Sequence, residues 1–502
     1  MYSIMLNSKN TPAISGIKSI VMAGENEGDS KMRKLIGREK EQDRLQLHYN
    51  SNRSEFVALF GRRRVGKTFL IKSLFESEFT FYATGAQNIT SAEQIERFNK
   101  EIRVYGGSEL EKATSWFEAF ENLNSIIMQS KSVGKKVIFL DEISWMGGTD
   151  TSFISALDYF WNRWISFRDD VLLIICGSGT SWIIDNIVNN TGGLHNRLTD
   201  QILLMPFTLG ECEEYFLERG IRLARYQIVE AYMIFGGIPH YLDFFLRDKS
   251  LAQNVDRIYF APDAPLMNEY SNLYDSLFKN AEDYIKIIEA ISTKRKGLYR
   301  EEIAALTKMK SGGTLTKMIK DLIVCGFIRD YIAFGKKRRD VMYQVIDPFT
   351  YFHLCFRDKQ KSVGDNYWQY FSSSPAHSAW SGYAFELVSL LHIGEIKKSL
   401  GISGVLTSAS SWRSKTSEPG AQIDLVLERN DGIIHLCEMK YSTTEYVIDK
   451  EYSAKLREKR GAFIYETATK KAAHTTLVTS YGLKRNEYSS EILFQITMDD
   501  FF

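Results

Sequence analysis

A strand, a glycine-bounded loop and a helix follow one another in FVALFGRRRVGKTFLIKSLF, residues 56–75. The apolar run 56–60 is typical of a buried strand, and a helical pattern follows the loop. Gly61 and Gly66 allow the loop to curl so that its amides point at phosphate oxygens, while the helix offers its positive N-terminus. The spacing G-x-x-x-x-G-K-T in this context predicts a P-loop, and hence a nucleotide-binding α/β domain with a parallel sheet.

The P-loop predicts specific roles for the residues at its end. Lys67 is expected to reach the β- and γ-phosphates of ATP, and Thr68 to ligate Mg²⁺ through its hydroxyl. We therefore predict ATP and Mg²⁺ as cofactors. The predicted nucleotide-binding residues are Gly61, Arg62, Arg63, Arg64, Val65, Gly66, Lys67, Thr68, Phe69 and Asp141.

The second half of such a site is an apolar strand that ends in an acid. Residues 135–146, KKVIFLDEISWM, match this pattern with a strand over 137–140. Asp141 is expected to hold Mg²⁺ through water, and Glu142 to polarise the attacking water. A surface acid at the end of a strand is the alternative, but two consecutive acids favour ATP hydrolysis over nucleotide storage.

Composition limits the remaining classes of function. A chain of 502 residues predicts about three or four domains, since compact domains hold ~100–200 residues. The net charge of +1 implies that any contact with nucleic acid comes from a local patch. Five cysteines without C-x-x-C spacing suggest reduced thiols in a cytosolic protein. We expect a cytoplasmic protein without a membrane partner, since the sequence has no secretion signal and no apolar run of ~20 residues.

Further motifs carry a resemblance to a known group of proteins. They are LIGREKE (35–41), FLDEI (139–143), the strand VLLIICGS (171–178), HNRLTD (195–200) and GGIPHYL (236–242). From residue 32 to the end, the chain resembles AAA+/STAND-like bacterial and archaeal ATPases with a restriction-nuclease-like C-terminal domain. The resemblance implies that Ser178 is a sensor, that Arg197 is a candidate arginine finger, and that 236–239 folds a helical lid against the nucleotide. A finger supplied by a neighbouring subunit implies a homo-oligomer, whereas a surface arginine is an equally weighted reading of Arg197.

Residues 280–348 predict three helices and a β-hairpin whose turn is 335–339, the arrangement of a winged helix-turn-helix. Ser311 is expected to cap the recognition helix, and the basic residues 336–339 to meet DNA phosphates. A protein-interaction or lid module is the alternative. The polar side of the predicted recognition helix carries Thr314, Thr316, Lys317 and Lys320.

The last part contains paired acids. WSGYAFELVSLLHI (380–393) predicts an amphipathic helix that bears Glu386, and the turn 430–432 joins two predicted strands. Asp424 lies on the first strand, and the second carries Glu438 and Lys440 on one face. This D…E-x-K pattern resembles the PD-(D/E)xK nuclease-like fold, and the likeness adds Glu386 as the helix-borne acid. Mg²⁺ held by Asp424 and Glu438 would polarise a phosphodiester and acidify a bound water, and Lys440 would position that water or stabilise the developing negative charge. A surface ion pair is the alternative.

The sequence therefore predicts a multidomain α/β protein. We expect an ATPase coupled to a metal-dependent DNA nuclease; the alternative is an ATP-driven regulatory switch whose C-terminal domain binds nucleic acid or protein without cleaving. The predicted parts are a flexible segment (1–31), a P-loop AAA+ ATPase domain (32–208), a helical lid and linker (209–279), a winged helix (280–348) and a restriction-endonuclease-like α/β domain (349–502).

Overall fold

The computed structural model describes most of the chain from residue 34 onward. The described ranges are 34–132, 134–189, 194, 196–336, 340–360, 366–414 and 421–502. The chain divides into two compact units, Met1–Lys34 and Leu35–Phe502, and every element below belongs to the second. The predicted flexible segment 1–31 and residues 337–339 of the predicted wing lie outside the described residues. Within the described ranges, every helix is too short or too polar to cross a membrane.

Five parallel strands form the sheet of the first domain, in the order β2-β3-β4-β1-β5. All residues of β1, β3 and β4 are buried, as is typical of parallel strands that are covered on both faces. Their carboxyl ends meet at one edge, where α/β proteins bind ligands. The strands are β1 (Glu55–Phe60), β2 (Phe79–Thr84), β3 (Lys136–Asp141), β4 (Val171–Gly177) and β5 (Asp200–Leu203).

Helices cover both faces of this sheet. Successive residues of β1 point into two different apolar cores: Val57 and Leu59 into one, and Phe56 and Ala58 into the other. Five-residue π-helical segments continue α6 and α7. The helices of this domain are α1 (Glu39–Tyr49), α2 (Lys67–Phe75), α3 (Ser91–Val104), α4 (Trp116–Gln129), α5 (Ile143–Gly147), α6 (Thr151–Phe160) and α7 (Thr180–Ile183).

A helical segment follows the sheet. Its second helix, α9, ends at two glycines with positive φ, and a Cβ on Gly237 would lie 2.4 Å from the carbonyl oxygen of Phe207. The turn predicted at 236–239 therefore requires glycine at this position. The helices are α8 (Leu209–Glu218), α9 (Arg225–Phe235), α10 (Pro239–Leu242), α11 (Leu251–Val255) and α12 (Glu269–Leu277).

Three helices and a three-stranded antiparallel sheet, in the order β6-β8-β7, form the third part. The prediction that Ser311 caps the second of the closely spaced helices is wrong, because α15 begins one residue later and its N-cap is Gly312. On this helix Lys317 pairs with Asp185 of the first domain. The elements are α13 (Ala281–Ser292), β6 (Leu298–Tyr299), α14 (Arg300–Thr307), α15 (Gly313–Val324), β7 (Ile328–Ile332) and β8 (Val341–Val345).

A second five-stranded sheet forms the C-terminal part, in the order β13-β12-β11-β10-β9. Strands β9, β10 and β11 are antiparallel, whereas β11, β12 and β13 are parallel. The elements are α16 (Pro348–Gln360), α17 (Tyr367–Phe371), α18 (Pro375–Leu391), α19 (Ile393–Ser399), β9 (Thr407–Arg413), β10 (Gln422–Arg429), β11 (Ile433–Lys440), α20 (Lys450–Thr467), β12 (Ala472–Thr479) and β13 (Phe494–Thr497).

One apolar core connects the first domain to the C-terminal part. It runs from residues of β1 and β4 through α9 and α12 to α16, α18 and the second sheet. Leu59, Tyr241, Phe352 and Met439 all belong to it. Because these parts share a core, the two predicted sites are held on one packed framework.

Candidate functional site

The loop between β1 and α2 has the backbone geometry of a phosphate cradle. Gly61 and Gly66 have φ of 150° and 92°, and a Cβ on Gly61 would lie 2.4 Å from the carbonyl oxygen of Leu204. The buried Lys67 ammonium donates to the carbonyl oxygens of Gly61 and Arg62 at 2.9 and 3.0 Å. Backbone amides and the start of α2 therefore surround a space suited to an anion, with a lysine folded into it.

The end of β3 faces the start of α2. The Thr68 hydroxyl donates to Oδ2 of the buried Asp141 at 2.7 Å, and the Glu142 amide donates to Oδ1 at 2.9 Å. A hydroxyl and a carboxylate in contact are oxygen ligands of the kind that Mg²⁺ prefers. These two residues therefore fit the ion that the P-loop predicts.

Glu142 is held by the end of the neighbouring strand, β4. Its backbone is left-handed (φ 48°, ψ 46°), and its Oε2 accepts hydrogen bonds from the Ser178 amide at 3.0 Å and hydroxyl at 2.9 Å. Sequence reasoning predicted both residues but missed their contact. The signal was available, since consecutive motifs on adjacent parallel strands end at the same edge of a sheet.

The C-terminal sheet brings two predicted acids together. Leu425 of β10 pairs with Cys437 of β11, so continuing this antiparallel register sets Asp424 opposite Glu438. Directly opposite residues of antiparallel strands point to the same face. Both side chains accordingly line one cavity of about 1350 Å³.

The other two predicted residues line the same cavity. Glu386 reaches it from α18, and Lys440 from β11, two residues after Glu438. The cavity lies between this sheet and the third part, because Arg329 and Tyr331 of β7 also line it. The structure thus brings together all four residues predicted in this part of the chain.

The carboxyl groups of this cluster act on one another. Burial raises the pKa of Glu386 to about 8, and the Asp424 carboxylate acts in the same direction. Burial also raises the pKa of Glu438, while the Lys459 ammonium opposes it and Asp424 adds to it. Carboxylates that are close enough to raise one another's pKa favour a bound cation.

The cation that contacts Glu438 comes from a residue that sequence reasoning missed. Lys459 of α20 donates to Oε1 of Glu438 at 2.7 Å. From the same helix, the Tyr452 hydroxyl lies 3.5 Å from Oε2, and the Lys440 ammonium lies 5.1 Å from the Tyr452 ring centroid. Tyr452 and Lys459 are seven residues apart, two helical turns on one face, which is the signal that was available.

The carboxylate cluster offers two protein ligands to a metal ion. Among the described residues, no group of three or more histidine, cysteine, aspartate or glutamate side chains has the arrangement of a metal site. Asp424 and Glu438 on one face supply two carboxylates, and Lys459 occupies one oxygen of Glu438. The carboxylates thus fit an ion as two protein ligands.

Comparison with known proteins agrees with a nucleotide site at the loop between β1 and α2. Residues 35–245 match the model of a family described as an ATPase domain predominantly from Archaea. The chain carries an archaeal-type P-loop ATPase domain. The family match covers the phosphate loop, Asp141, Glu142 and Ser178 and ends before the third part of the chain.

Two proteins of Methanocaldococcus jannaschii are similar in sequence to this chain. An uncharacterised protein of Methanocaldococcus jannaschii is 24% identical over 416 residues, which cover 81% of this chain and 87% of that protein. An uncharacterised ATP-binding protein of the same organism is 42% identical over 44 residues, which cover 9% of this chain and 75% of that protein. A solved structure of a Walker-type ATPase of Pyrococcus abyssi is 19% identical in sequence. The match covers 64% of this chain and 96% of the Pyrococcus chain, with a TM-score of 0.49.

Two arginines of the ATPase domain loop have their side chains turned away from the phosphate space. The buried Arg62 guanidinium pairs with Asp347, directly before α16, and lies 4.9 Å from the Phe327 ring centroid. Arg64 pairs with the buried Glu269 of α12 at 3.0 Å. Both residues were predicted to bind nucleotide, but their guanidiniums instead connect the loop to the helical segment and to the third part. Asp347 and Glu269 are far from the loop in sequence, so no local pattern predicted these pairs.

Arg197 lies on the surface of the ATPase domain. Its side chain is exposed, and its amide donates to the Leu194 carbonyl at 3.1 Å. Burial raises the pKa of Asp158 on α6, and the Arg197 charge opposes this rise. An exposed arginine at this place fits a finger that acts on a neighbouring chain, which stays a prediction.

Mixing two inactive variants is expected to restore ATP hydrolysis if Arg197 acts in trans. Lys67→Ala protein keeps its arginine and Arg197→Ala protein keeps its phosphate loop, so a mixed interface joins one intact half from each. A finger contributes about 10³–10⁵-fold to hydrolysis, so the recovered phosphate release is measurable. A wild-type rate per chain that stays constant on dilution to the monomer would rule the trans finger out.

Proposed function

We propose that this chain is a Mg²⁺-dependent ATPase whose nucleotide cycle controls a metal-dependent DNA nuclease site in its C-terminal part. The observation that carries the nuclease half is the convergence of Glu386, Asp424, Glu438 and Lys440 on one cavity. Three helices with an antiparallel hairpin support a winged helix beside that site, and the mixed sheet with α18 against it supports a restriction-endonuclease-like domain.

In the ATPase half, Thr68 and Asp141 would hold Mg²⁺. The ion, when bound, offsets the negative charge of the phosphates. Lys67 leaves the loop carbonyls for the phosphate oxygens, since an anion is the stronger acceptor. Glu142 orients the attacking water once its carboxylate separates from Ser178. The hydrogen bond with Ser178 therefore keeps Glu142 in an inactive position.

In the nuclease half, Asp424 and Glu438 would hold the divalent ion. The ion, when bound, polarises a phosphodiester and acidifies water. Lys440, on the same face of β11, stabilises the negative charge that develops on phosphate oxygens. Lys459 neutralises Glu438 and would be displaced from it, or would share it, when the ion is held.

The contact between Lys459 and Glu438 favours a second function. Glu438 already has an ammonium partner, and no three-carboxylate metal group is present within the described residues. In this alternative, the ATPase is a regulatory switch, and the C-terminal part binds nucleic acid or protein without cleaving it. The two functions make different predictions for Asp424: only the nuclease needs it, for cleavage of nucleic acid.

Replacing Asp424 by alanine is expected to abolish cleavage of DNA by the purified full-length protein with Mn²⁺ or Mg²⁺ and ATP. The change removes one of two carboxylates that hold the ion, whose charge stabilisation is worth several kcal/mol. Labelled single-stranded and duplex DNA and RNA, resolved on denaturing gels, provide the measurement.

The matched control is Asp431→Ala, an exposed aspartate in the turn that joins β10 to β11. It removes the same charge from the same hairpin and should leave cleavage unchanged. Cleavage that persists in Asp424→Ala would exclude this site. Intact substrate in every wild-type reaction, with bound nucleic acid, would favour the non-cleaving module.

A further inference from the structure

We infer that the cavity above the carboxylate cluster binds single-stranded nucleic acid, so that an unpaired strand or end, rather than a continuous duplex, is the substrate. The inference rests on the proposed nuclease function for its substrate role. It concerns a wall of the cavity to which the family match does not extend, since that match ends at residue 245.

Several basic side chains share the cavity with the carboxylates. Arg295, Lys296 and Arg329 of the third part and Arg413 of β9 line the same cavity as Asp424. Among the described residues, neither Lys296 nor Arg413 has an acidic side chain within ion-pair distance. Burial lowers the pKa of Lys296, the charges of Arg413 and Lys294 act in the same direction, and Glu302, which pairs with Lys294, opposes them. Cations without acidic partners are suited to a phosphodiester backbone.

Exposed aromatic rings accompany these cations. Tyr299, before α14, and Tyr465, on α20, both line the cavity, and 37% and 85% of their surfaces are exposed. Proteins that bind unpaired strands combine a basic groove with aromatic side chains on which bases stack. A paired base is already stacked within its duplex and presents no free face to such rings.

The size and closure of the cavity favour a single strand. Its volume of about 1350 Å³ exceeds the ~300–1,000 Å³ of a pocket for a small ligand, so several linked nucleotides fit better than one. Phe334, two residues after β7, closes one side, because its amide donates to the Ser411 carbonyl of β9 at 2.7 Å and its ring centroid lies 5.0 Å from that of Phe463. Closure on this side limits the width that is left for a second strand, so it favours an unpaired strand over a duplex.

The usual duplex-reading helix of a winged helix is engaged elsewhere. In that motif, the recognition helix lies in the major groove. Here Lys317 of α15 pairs with Asp185, and α15 packs against α7 of the ATPase domain. Arg295, Lys296 and Arg329 of the third part, by contrast, line the cavity beside the carboxylate cluster.

Binding of labelled oligonucleotides by the full-length protein tests the inference without any cleavage. Fluorescence anisotropy in EDTA compares an oligothymidylate of ~12 nucleotides, an oligouridylate of equal length and a duplex of equal length, a size within the range of single-strand sites. We expect the strands to bind at least about tenfold tighter than the duplex. The thymidylate and uridylate arms distinguish DNA from RNA.

Two charge-reversed pairs locate the binding surface. Lys296→Glu with Arg413→Glu should weaken strand binding by about tenfold or more and reduce the salt slope by about 1.4, since each phosphate contact contributes about 0.7 on a single strand. Lys308→Glu with Lys310→Glu, exposed cations of the third part outside the cavity, removes the same charge and should change neither. Tyr465→Ala should weaken binding without changing the slope, because stacking releases no counterions.

The outcomes separate the inference from the proposed function. Tight strand binding that depends on Lys296, Arg413 and Tyr465 supports the inference even if no substrate is cleaved. Equal affinity for strand and duplex, equal losses in the two charge-reversed pairs, or no binding of either strand would overturn it. Duplex cleavage that requires Asp424 would then leave the nuclease function standing without this substrate.

Discussion

Glu142→Gln protein is expected to bind ATP as tightly as wild type and to hydrolyse it about 10²- to 10⁴-fold more slowly, the usual contribution of a general base. The amide keeps an oxygen that accepts from Ser178, so the local structure is preserved. It lacks the charge that polarises the attacking water. Phosphate release under saturating ATP and fluorescence of a labelled nucleotide measure the two quantities separately.

Two further variants serve as controls for the Glu142→Gln result. Lys67→Ala should lose nucleotide binding, because it removes the ammonium that the loop holds for the phosphates. Glu121→Gln, an exposed glutamate of α4, makes the same chemical change away from the site and should behave as wild type. If Glu142→Gln hydrolyses ATP at the wild-type rate, another group orients the water.

The ATP site was predictable because its motifs are local. A glycine loop between an apolar run and a helical pattern defines β1, the loop and α2 within twenty residues of sequence. The P-loop in turn predicts an apolar strand that ends in acids, which identifies Asp141 and Glu142. The predicted strands 56–60 and 137–140 differ from β1 and β3 by one or two residues at their ends.

The contacts of these residues with distant parts of the chain were not predictable. Asp347 and Lys459 are ordinary charged residues in the sequence, and only the packing of their elements brings them to Arg62 and Glu438. Ser311 failed as a cap for a different reason. Serine and the glycine after it are both acceptable at an N-cap, so local preference did not decide between them.

The pairing of Arg62 with Asp347 leads to the second large expected effect. The pair is fully enclosed, with side-chain exposures of 4% and 3%. Burial acts to lower the pKa of Arg62, but Asp347 raises it above the usual value. Asp347 also accepts from the Thr350 amide at 2.8 Å, so it orders the start of α16 as well as the loop.

Arg62→Ala is expected to destabilise the protein by about 3–5 kcal/mol, because removing one partner leaves the Asp347 carboxylate buried and uncompensated. Midpoints of urea unfolding, followed by both tryptophan fluorescence and circular dichroism, measure the change. The matched control is Arg357→Ala, which breaks an exposed pair with Glu289 between α16 and α13 and should cost about 1 kcal/mol or less.

A double variant then separates charge from packing. Arg62→Met with Asp347→Leu removes both charges and keeps apolar volume beside Phe327, so it should be more stable than Arg62→Ala alone. Because the Arg62 carbonyl also accepts from Lys67, loss of the ion pair should alter ATP affinity in both variants. If Arg62→Ala is as mild as Arg357→Ala, the buried pair does not fasten the phosphate loop to the third part. The proposed coupling between nucleotide binding and the C-terminal site would then run through Arg64, which contacts Glu269 of α12.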